Sequence, residues 1–422
     1  YNDLDSLLPL ASKATKAAKT AGKERAIFGL FSNGIVTARD EWMTDFSEDA
    51  LREKTRRFCS VFDAEKVRWN SSPGAKIQDR AERVKALRDF VSREIKWTEE
   101  LEAHLDRGTL IEFNEGHVRV SLYRPFVQVL TYYARVLTHR TYQQDRMFPI
   151  DGQWDNVAMC FVDGNRLDFA LIATDCLPNY AIFSLDPVQA ASRFRYDESG
   201  NRVDNITDWA LKQFTTHYKA AETSAASSAS GIGSKAEGGP RKITKEAIFH
   251  YCYAVLHDPW YREKYAQNLK REFPRIPFYA DFWRWADWGA QLMALHIGYE
   301  AVAPFALART DEPDARARAS GQSLKVVLKA DAAAGSIVLD SETTLRGVPP
   351  EAWAYKLGNR SAIDWVLDQH KEKKPKDPTI REHFNTYRFA DYKEKVVDLL
   401  MRVTTVSVET VRITEAMRHV AR

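Results

Sequence analysis

The chain has 422 residues, of which 44% are hydrophobic and 12% aromatic, and this composition excludes an intrinsically disordered protein. Its 61 basic and 58 acidic residues leave a formal net charge of +3, so any basic surface for nucleic acid has to be local. At this length we expect about two or three domains with sizeable cores.

The cysteines and the hydropathy pattern restrict the setting of the protein. Cys59, Cys160, Cys176 and Cys252 show no Cys-x-x-Cys spacing, which argues against a zinc site or a disulfide framework and indicates a reducing cytoplasm. No apolar run reaches transmembrane length, so we expect no membrane partner. Because the chain begins at Tyr1 rather than methionine, we expect a piece of a longer protein.

Residues 1–110 are predicted to be mainly helical. Amphipathic helices are predicted over residues 47–69 and 77–107, with Ser47 as the cap of the first and Gly108 just after the second. Asn33-Gly34, upstream of both, favours a turn.

Residues 111–219 are expected to form a β-rich subdomain. The segments TLIEF and VRVSL alternate apolar with polar residues around Asn114-Glu115-Gly116, which predicts a hairpin over residues 109–122. Strands over residues 157–162 and 167–173 flank Asp163-Gly164, another hairpin signal.

Residues 220–241 are rich in Ala, Ser and Gly and are predicted to be a flexible linker, or a surface insertion in a core shared by both sides. Residues 242–422 are expected to form a helical C-terminal subdomain with a small sheet. Within it, Thr244 is predicted to cap one helix, and Asp258-Pro259 to begin the next. The whole is a mixed α+β fold, with helical segments and small antiparallel sheets.

Several segments carry a family resemblance. ITKEAIFHYCYAVLHDPWYREKYAQNLKREFPRIP, at residues 243–277, resembles the C-terminal part of Type ISP restriction–modification enzymes and of related N6-adenine DNA methyltransferases. Further segments occur in the same order as in that family, namely AIFGLFSNGIVTARDEWMTDF, LYRPF, LGNRSAIDWVLDQHK and VVDLLMRVTTVSVETVRI. The resemblance extends over nearly the whole chain.

The resemblance implies a target-recognition domain whose partners are double-stranded DNA and the methyltransferase and helicase domains of the same parent chain. The parent would be an ATP-dependent phage-defence enzyme that methylates adenine at N6. S-adenosylmethionine, ATP and magnesium would be bound by segments outside this sequence. Residues 1–110 would then contain the helical tail of the methyltransferase region.

No catalytic motif is found in the chain itself. The (Asn/Asp)-Pro-Pro-(Tyr/Phe) tetrapeptide of adenine methyltransferases is absent, and Gly231–Lys235 lacks the spacing of a phosphate-binding loop. The histidines form no His-x-x-x-His pair. We therefore expect no catalysis, cofactor or metal in this fragment.

The best candidate DNA-binding segment is residues 117–148, where arginines alternate with aromatic residues. The planar guanidinium group binds phosphates and guanine edges through two parallel hydrogen bonds. The alternative is that the aromatics form core, which is favoured for Tyr132 and Tyr133, and that the arginines form a solvated face or, for Arg124, a buried ion pair. The predicted contacts from this segment are Arg119, Arg124, Arg135, Arg140, Tyr142 and Arg146.

A second candidate is residues 33–40, from which Asn33, Thr37 and Arg39 are predicted to reach DNA. Its alternative is a tight turn in which Asp40 pairs with Arg39 or caps the next helix. Residues 279–288 are predicted to be a core stripe rather than a stacking platform. Residues 371–376 are predicted to be a solvated loop, and the alternative is a phosphate clamp that approaches DNA in the assembled enzyme.

A competing hypothesis from another class is a protein-interaction scaffold that docks helicase or methyltransferase domains without reading sequence. The near-neutral charge and the aromatic-rich helices after residue 241 favour it for that part of the chain.

Overall fold

The computed structural model describes residue 4 and residues 6–11, 25–162, 168–183, 186–228 and 241–422, with the backbone alone over residues 221–228. The predicted Asp163-Gly164 turn and most of the predicted linker over residues 220–241 lie outside the described residues. Helix α5 below covers the backbone of the remaining linker residues up to Ser228, where a flexible segment was expected.

The N-terminal part is helical, as predicted, with helices α1 Asp40–Met43, α2 Glu48–Asn70, α3 Arg80–Phe90 and α4 Glu99–Asp106. Ser47 caps α2, its hydroxyl accepting from the Ala50 amide at 3.3 Å. The prediction of one helix over residues 77–107 is wrong, because that range holds two separately capped helices. Asp79 caps α3 and Thr98 caps α4, with an extended segment between them. Single 3₁₀ turns follow at Gly74–Lys76, Glu115–His117 and Gln144–Arg146.

The strands up to residue 204 form two four-stranded sheets and smaller pairs. They are β1 Leu8–Pro9, β2 Ser32–Asn33, β3 Thr44–Asp45, β4 Val118–Arg124, β5 Val127–Tyr132, β6 Ala158–Val162, β7 Leu171–Thr174, β8 Leu177–Pro178, β9 Val188–Ser192, β10 Phe194–Tyr196 and β11 Arg202–Asp204. One sheet has the order β2-β9-β6-β7, entirely antiparallel, and the other has the order β3-β5-β4-β8. Only the β4–β8 pair in the second sheet is parallel.

The predicted hairpin over residues 109–122 is wrong. Strand β4 pairs instead with β5, and the tight turn between them is made at Pro125-Phe126, where Phe126 adopts a left-handed backbone with φ 58°. Asn114 accepts a hydrogen bond from the Gly116 amide at 2.9 Å and begins a 3₁₀ turn, not a hairpin loop. The LYRPF segment is thus the turn of the second sheet.

The C-terminal half holds helices α5 Asp208–Ser228, α6 Lys245–Val255, α7 Pro259–Lys264, α8 Ala266–Leu269, α9 Phe282–Ile297, α10 Ala315–Ser320, α11 Pro350–Ala354, α12 Ala362–Gln369 and α13 Phe389–Arg418, and a π-helical turn at Ile380–Phe384. Its strands are β12 Arg275–Ile276, β13 Ala308–Asp311, β14 Val326–Asp331, β15 Ser336–Asp340, β16 Thr343–Arg346, β17 Lys356–Leu357 and β18 Arg360–Ser361. Strands β13-β16-β15-β14 form the predicted small antiparallel sheet. The mixed α+β class is confirmed.

Both predicted capping residues of the helix pair after residue 243 are confirmed. Thr244 accepts from the Ala247 amide at 3.1 Å, and Asp258 accepts from the Trp260 amide at 3.1 Å, with Pro259 at the first helical position. Asp258 is fully buried and also forms an ion pair with Arg422 at 2.6 Å. This carboxylate therefore joins the helix pair to the last residue of the chain.

The segments on either side of residues 220–241 share their cores. Phe126 packs edge-on against Tyr299, with ring centroids 5.3 Å apart, and the same cluster includes Leu177, Val366 and Leu400. The predicted core stripe of α9 is confirmed, because Phe282, Trp285 and Leu292 are buried, as are Tyr132 and Tyr133. The structure therefore agrees with the alternative in which the segments before and after residues 220–241 share a core.

The buried imidazole of His296 is expected to make folding stability depend on pH. Its Nδ1 lies 2.6 Å from the Tyr253 hydroxyl and its Nε2 lies 3.0 Å from the Thr410 hydroxyl, and burial lowers its pKa to about 3. Below the unfolded pKa of about 6.5, the unfolded chain binds a proton that the folded chain does not. The free energy of unfolding therefore decreases as the pH is lowered, by up to about 1.4 kcal/mol for each pH unit.

Denaturant unfolding between about pH 7 and about pH 5 tests this expectation, with His296→Gln as the comparison. Wild type is expected to lose more stability on acidification than the variant. Equal losses in the two proteins would contradict the assignment to this imidazole.

Candidate nucleic-acid interface

The two segments predicted to contact DNA lie side by side. The Ser32 hydroxyl accepts from the Gln143 amide at 2.9 Å, and the Asn33 carbonyl accepts from the Gln144 side chain at 2.9 Å. Val36 and Arg140 exchange a pair of backbone hydrogen bonds, each 2.9 Å. Residues 32–37, which are buried except for the half-buried Val36, therefore pack beneath residues 138–146, and we call the exposed side of residues 138–146 the candidate surface.

The Asn33-Gly34 pair does not form a turn, so that expectation is wrong. The Gly34 amide donates to the Val188 carbonyl at 3.1 Å, and the Ile35 amide donates to the Pro178 carbonyl at 3.0 Å, so the segment runs extended between the two sheets. A Cβ on Gly34 would lie 2.3 Å from the Asn179 carbonyl oxygen. Glycine is required here because two backbone segments approach closely.

Helix α1 connects this surface to two other parts of the chain. Asp40 accepts hydrogen bonds from the Thr37 hydroxyl and from the Tyr123 hydroxyl, the latter at 2.9 Å. Glu41 accepts from the backbone amides of Lys376 at 2.9 Å and Asp377 at 2.8 Å. These bonds place the end of the lysine-rich loop, residues 371–376, beside the candidate surface.

A cavity of about 540 Å³ opens at this junction, and we name it the central cleft. It is lined by residues 35–42, 179–181 and 376–377 and by Lys96. Lys96 and Lys376 are exposed, and in the part of the chain that the structure describes neither ammonium group has an ion-pair partner. Lys96 and Lys376 therefore bring to the rim of the cleft two positive charges that no described acid neutralises through an ion pair.

Asn33, Thr37 and Arg39 lie beneath this surface. Arg39 is only 2% exposed and donates to the Leu137 carbonyl at 2.9 Å and to the Thr98 hydroxyl at 2.8 Å. Desolvation lowers its pKa to about 10, so the guanidinium stays charged at neutral pH. Asp40 neither pairs with Arg39 nor caps α1, because it is the first residue of that helix and bonds to Thr37 and Tyr123 instead.

The two exposed arginines of residues 117–148 are each paired with an acid, and only one of these acids lies within that segment. Arg135, with its side chain 70% exposed, pairs with Asp145, and Arg140, with its side chain 55% exposed, pairs with Glu100 of α4 at 3.0 Å. Arg146 is partly buried and has no ion pair among the described residues. Tyr142 is 42% exposed and lies nearly parallel to Tyr180.

Arg119 and Arg124 lie on strand β4 and are only partly exposed. Arg119 donates to the Gly152 carbonyl at 2.8 Å and lies over the Trp154 ring. Arg124 donates to the Tyr123 carbonyl at 2.6 Å and lies over the ring of that residue, 4.2 Å from its centroid. The buried ion pair considered for Arg124 is not seen within the described ranges.

Sequence reasoning did not identify Glu100 or Tyr180 as residues of this site, and it did not place Lys96 at the cleft. No local signal marks them, because each reaches the surface only through long-range packing. Over the described residues, no group of three or more His, Cys, Asp or Glu side chains is arranged to hold a metal ion. None of the helices in those same ranges is both long and apolar enough to cross a membrane.

Comparisons with known proteins place the chain in a family. The model of the Type ISP C-terminal specificity domain matches residues 26–399. A comparison with curated proteins gives no match. Among solved structures, the cryo-EM structure of a DrdV–DNA complex is 45% identical, with a TM-score of 0.83 over 98% of this chain and 38% of that chain.

Two more distant structures share the fold. A nuclease-deletion mutant of the Type ISP restriction–modification enzyme LlaGI, in complex with a DNA substrate mimic, is 22% identical, with a TM-score of 0.74 over 99% of this chain and 35% of that one. The ATP-dependent Type ISP enzyme LlaBIII bound to DNA is 19% identical, with a TM-score of 0.73 over 99% of this chain and 25% of that one. The chain thus spans between a quarter and two fifths of the length of these relatives.

Substitution Gly34→Ala is expected to destabilise the protein by about 1–3 kcal/mol, because the new methyl group overlaps the backbone at Asn179. Gly29→Ala is the matched control, since a Cβ there would meet its nearest neighbour, the Asn205 carbonyl oxygen, at an ordinary 3.6 Å. Denaturant unfolding measures both variants. Equal stability of Gly34→Ala and the control would contradict the close approach.

Proposed function

This chain belongs to the family of Type ISP C-terminal specificity domains, and on that premise we propose that it selects the double-stranded DNA sequence on which a longer restriction–modification enzyme acts. The family match over residues 26–399 carries the proposal. The meeting of residues 32–37 and 138–146 beside the central cleft supports it from the geometry, since it gathers cationic and aromatic side chains on one surface.

The longer protein is proposed to methylate adenine at N6 and to cleave or translocate DNA with ATP. S-adenosylmethionine, ATP and magnesium would then be bound by its other domains, which are the partners proposed for this chain. The specificity domain itself is proposed to catalyse neither methyl transfer nor cleavage. A cytoplasmic location is proposed because Cys59, Cys160, Cys176 and Cys252 are all free and buried.

DNA binding is proposed to begin with phosphate contacts from the exposed cations of this surface. Arg135 and Arg140 are paired with carboxylates at the protein surface, Asp145 with its side chain 26% exposed and Glu100 with its side chain 40% exposed, and surface pairs contribute only about 0–1 kcal/mol. A phosphate can therefore replace Asp145 or Glu100 at small cost. Lys96 and Lys376 have no such partner to give up among the described residues.

Base reading is proposed for Arg140, Tyr142 and Arg146, because residues 138–146 form an irregular segment supported by the extended segment below. Asn33, Thr37 and Arg39 are proposed to hold that segment in position instead of contacting DNA. Arg119 and Arg124 are proposed to contact phosphates and not bases, since carbonyl groups already accept hydrogen bonds from their guanidinium groups and restrict their reach.

The scaffold hypothesis was favoured for residues 242–422, as a surface that docks helicase or methyltransferase domains without reading sequence. Those residues share hydrophobic clusters with residues 26–219, and Lys376 of the C-terminal half lines the same cleft as residues 35–42. Recognition by the whole chain accounts for this arrangement. Selection from a pool of random duplexes separates the two functions, because only recognition yields a consensus sequence.

Substitutions Arg140→Ala and Arg146→Ala are expected to weaken DNA binding. Loss of a phosphate contact should lower affinity for all duplexes and reduce the slope of log affinity against log salt by roughly one unit. Loss of a guanine contact should cost about 1–3 kcal/mol on the selected sequence alone and relax specificity at one base pair.

Binding is measured at several salt concentrations on the selected and a scrambled duplex. Arg412→Ala is the control, because Arg412 is an exposed arginine of α13 that pairs with Glu409 away from the cleft lining. If the Arg140 and Arg146 variants bind as the control does, the proposed interface is wrong.

A further inference from the structure

Two residues have an unfavourable backbone conformation, one in the lining of the central cleft and one whose ring lies beside the cleft residue Tyr180. Tyr142, with φ 49°, and Ala38, with φ 58°, adopt the left-handed region, as do Phe126 and Leu328 elsewhere in the described chain. The Cβ atom disfavours that region for most residues other than glycine, asparagine and aspartate, so for tyrosine and alanine it persists only where the surrounding structure enforces it. Ala38 lines the cleft. Val36 and Arg140, which are hydrogen-bonded to each other through their backbones, lie two residues before Ala38 and Tyr142 respectively.

Tyr142 presents a large aromatic ring on the surface. Tyr142 is 42% exposed, although an aromatic ring of this size usually finds cover in a folded protein. One face of the ring is turned towards Tyr180, since the two rings are inclined by 16° with centroids 6.3 Å apart. The arrangement leaves the tyrosine ring available to a planar partner.

Tyr180 is a rigid support for this ring. Its amide donates to the Ile35 carbonyl at 2.9 Å, and its carbonyl accepts from the Val188 amide at 2.9 Å. Asn179, just before it, lies against Gly34 and donates its amide to the Leu122 carbonyl at 3.1 Å. The support is therefore fixed by backbone bonds to three separate strands or segments, whereas Tyr142 extends outward between Arg140 and Arg146.

We propose that Tyr142 stacks on a nucleobase of the bound duplex at a distorted base step, with Tyr180 supporting its ring. This inference rests on the proposed function and adds a specific contact to it. Each base presents a π face, so the contact senses how easily the step is distorted and not the hydrogen-bonding edge of the base. Arg140 and Arg146, on either side of Tyr142 in the sequence, would contact the nucleotides next to that base.

The test pairs protein variants with duplexes in which one nucleotide at a time is abasic. Where a base stacks on Tyr142, its removal is expected to weaken wild-type binding roughly 5- to 150-fold, the range for one base–aromatic stack. The same removal should have little further effect on Tyr142→Leu, which keeps an apolar side chain but no ring. Tyr142→Phe should behave as wild type. A base that is read through hydrogen bonds would lose affinity equally in all three proteins.

A stability readout separates a contact with DNA from a structural role. Asparagine tolerates the left-handed region, so Tyr142→Asn should unfold at the wild-type temperature or above it while losing the abasic-site effect. A purely structural tyrosine would instead lose stability in this variant, and that result would overturn the proposal.

The outcomes distinguish this inference from the function on which it rests. If wild type selects a sequence but no abasic position separates it from Tyr142→Leu, the stacking contact is wrong and target recognition stands. If wild type selects no sequence at all, the proposed function fails and the stacking contact fails with it.

Discussion

The hydrogen bonds of helix α1 determine how the rest of the candidate surface is built. In three successive residues, Asp40 binds the Tyr123 hydroxyl of the second sheet, Glu41 binds the amides of residues 376–377, and the Trp42 indole donates to Asp377 at 2.8 Å. Hydrogen bonds to ionised carboxylates contribute about 1.5–3 kcal/mol each, more than neutral ones. A single helical turn therefore holds the N-terminal helices, a β-sheet and the C-terminal lysine loop at one cleft.

The parts of the fold that depend on neighbouring residues were predictable from sequence. Ser47, Thr244 and Asp258 cap helices because their side chains satisfy amides within the next three residues, so the signal and its cause lie together. The broken helix over residues 77–107 carried the same kind of signal in Asp79 and Thr98, which the apolar periodicity concealed. The β4 strand was found, but its partner was not, because pairing depends on the turn at Pro125-Phe126.

The candidate site was predictable only in part, since its geometry comes from residues far apart in sequence. Gly34 is needed for the Asn179 carbonyl, and no local pattern distinguishes that need from a turn. A count of charges in residues 117–148 could not include Glu100, which pairs with Arg140 from a neighbouring helix. Burial separated Arg39 from the exposed arginines although all have the same chemistry. Sequence therefore indicated the segments, and packing decided which side chains face outward.

The central claim is that DNA is held where residues 138–146, the central cleft and the lysine-rich loop meet. Amide hydrogen exchange of the chain, with and without its selected duplex, tests this most directly, because it reports protection along the whole backbone. The account predicts slower exchange on DNA binding in residues 94–98, 138–146 and 371–377, with little change along α13. Protection confined to α13 and the helix pair after residue 243, with these three segments unchanged, would contradict it.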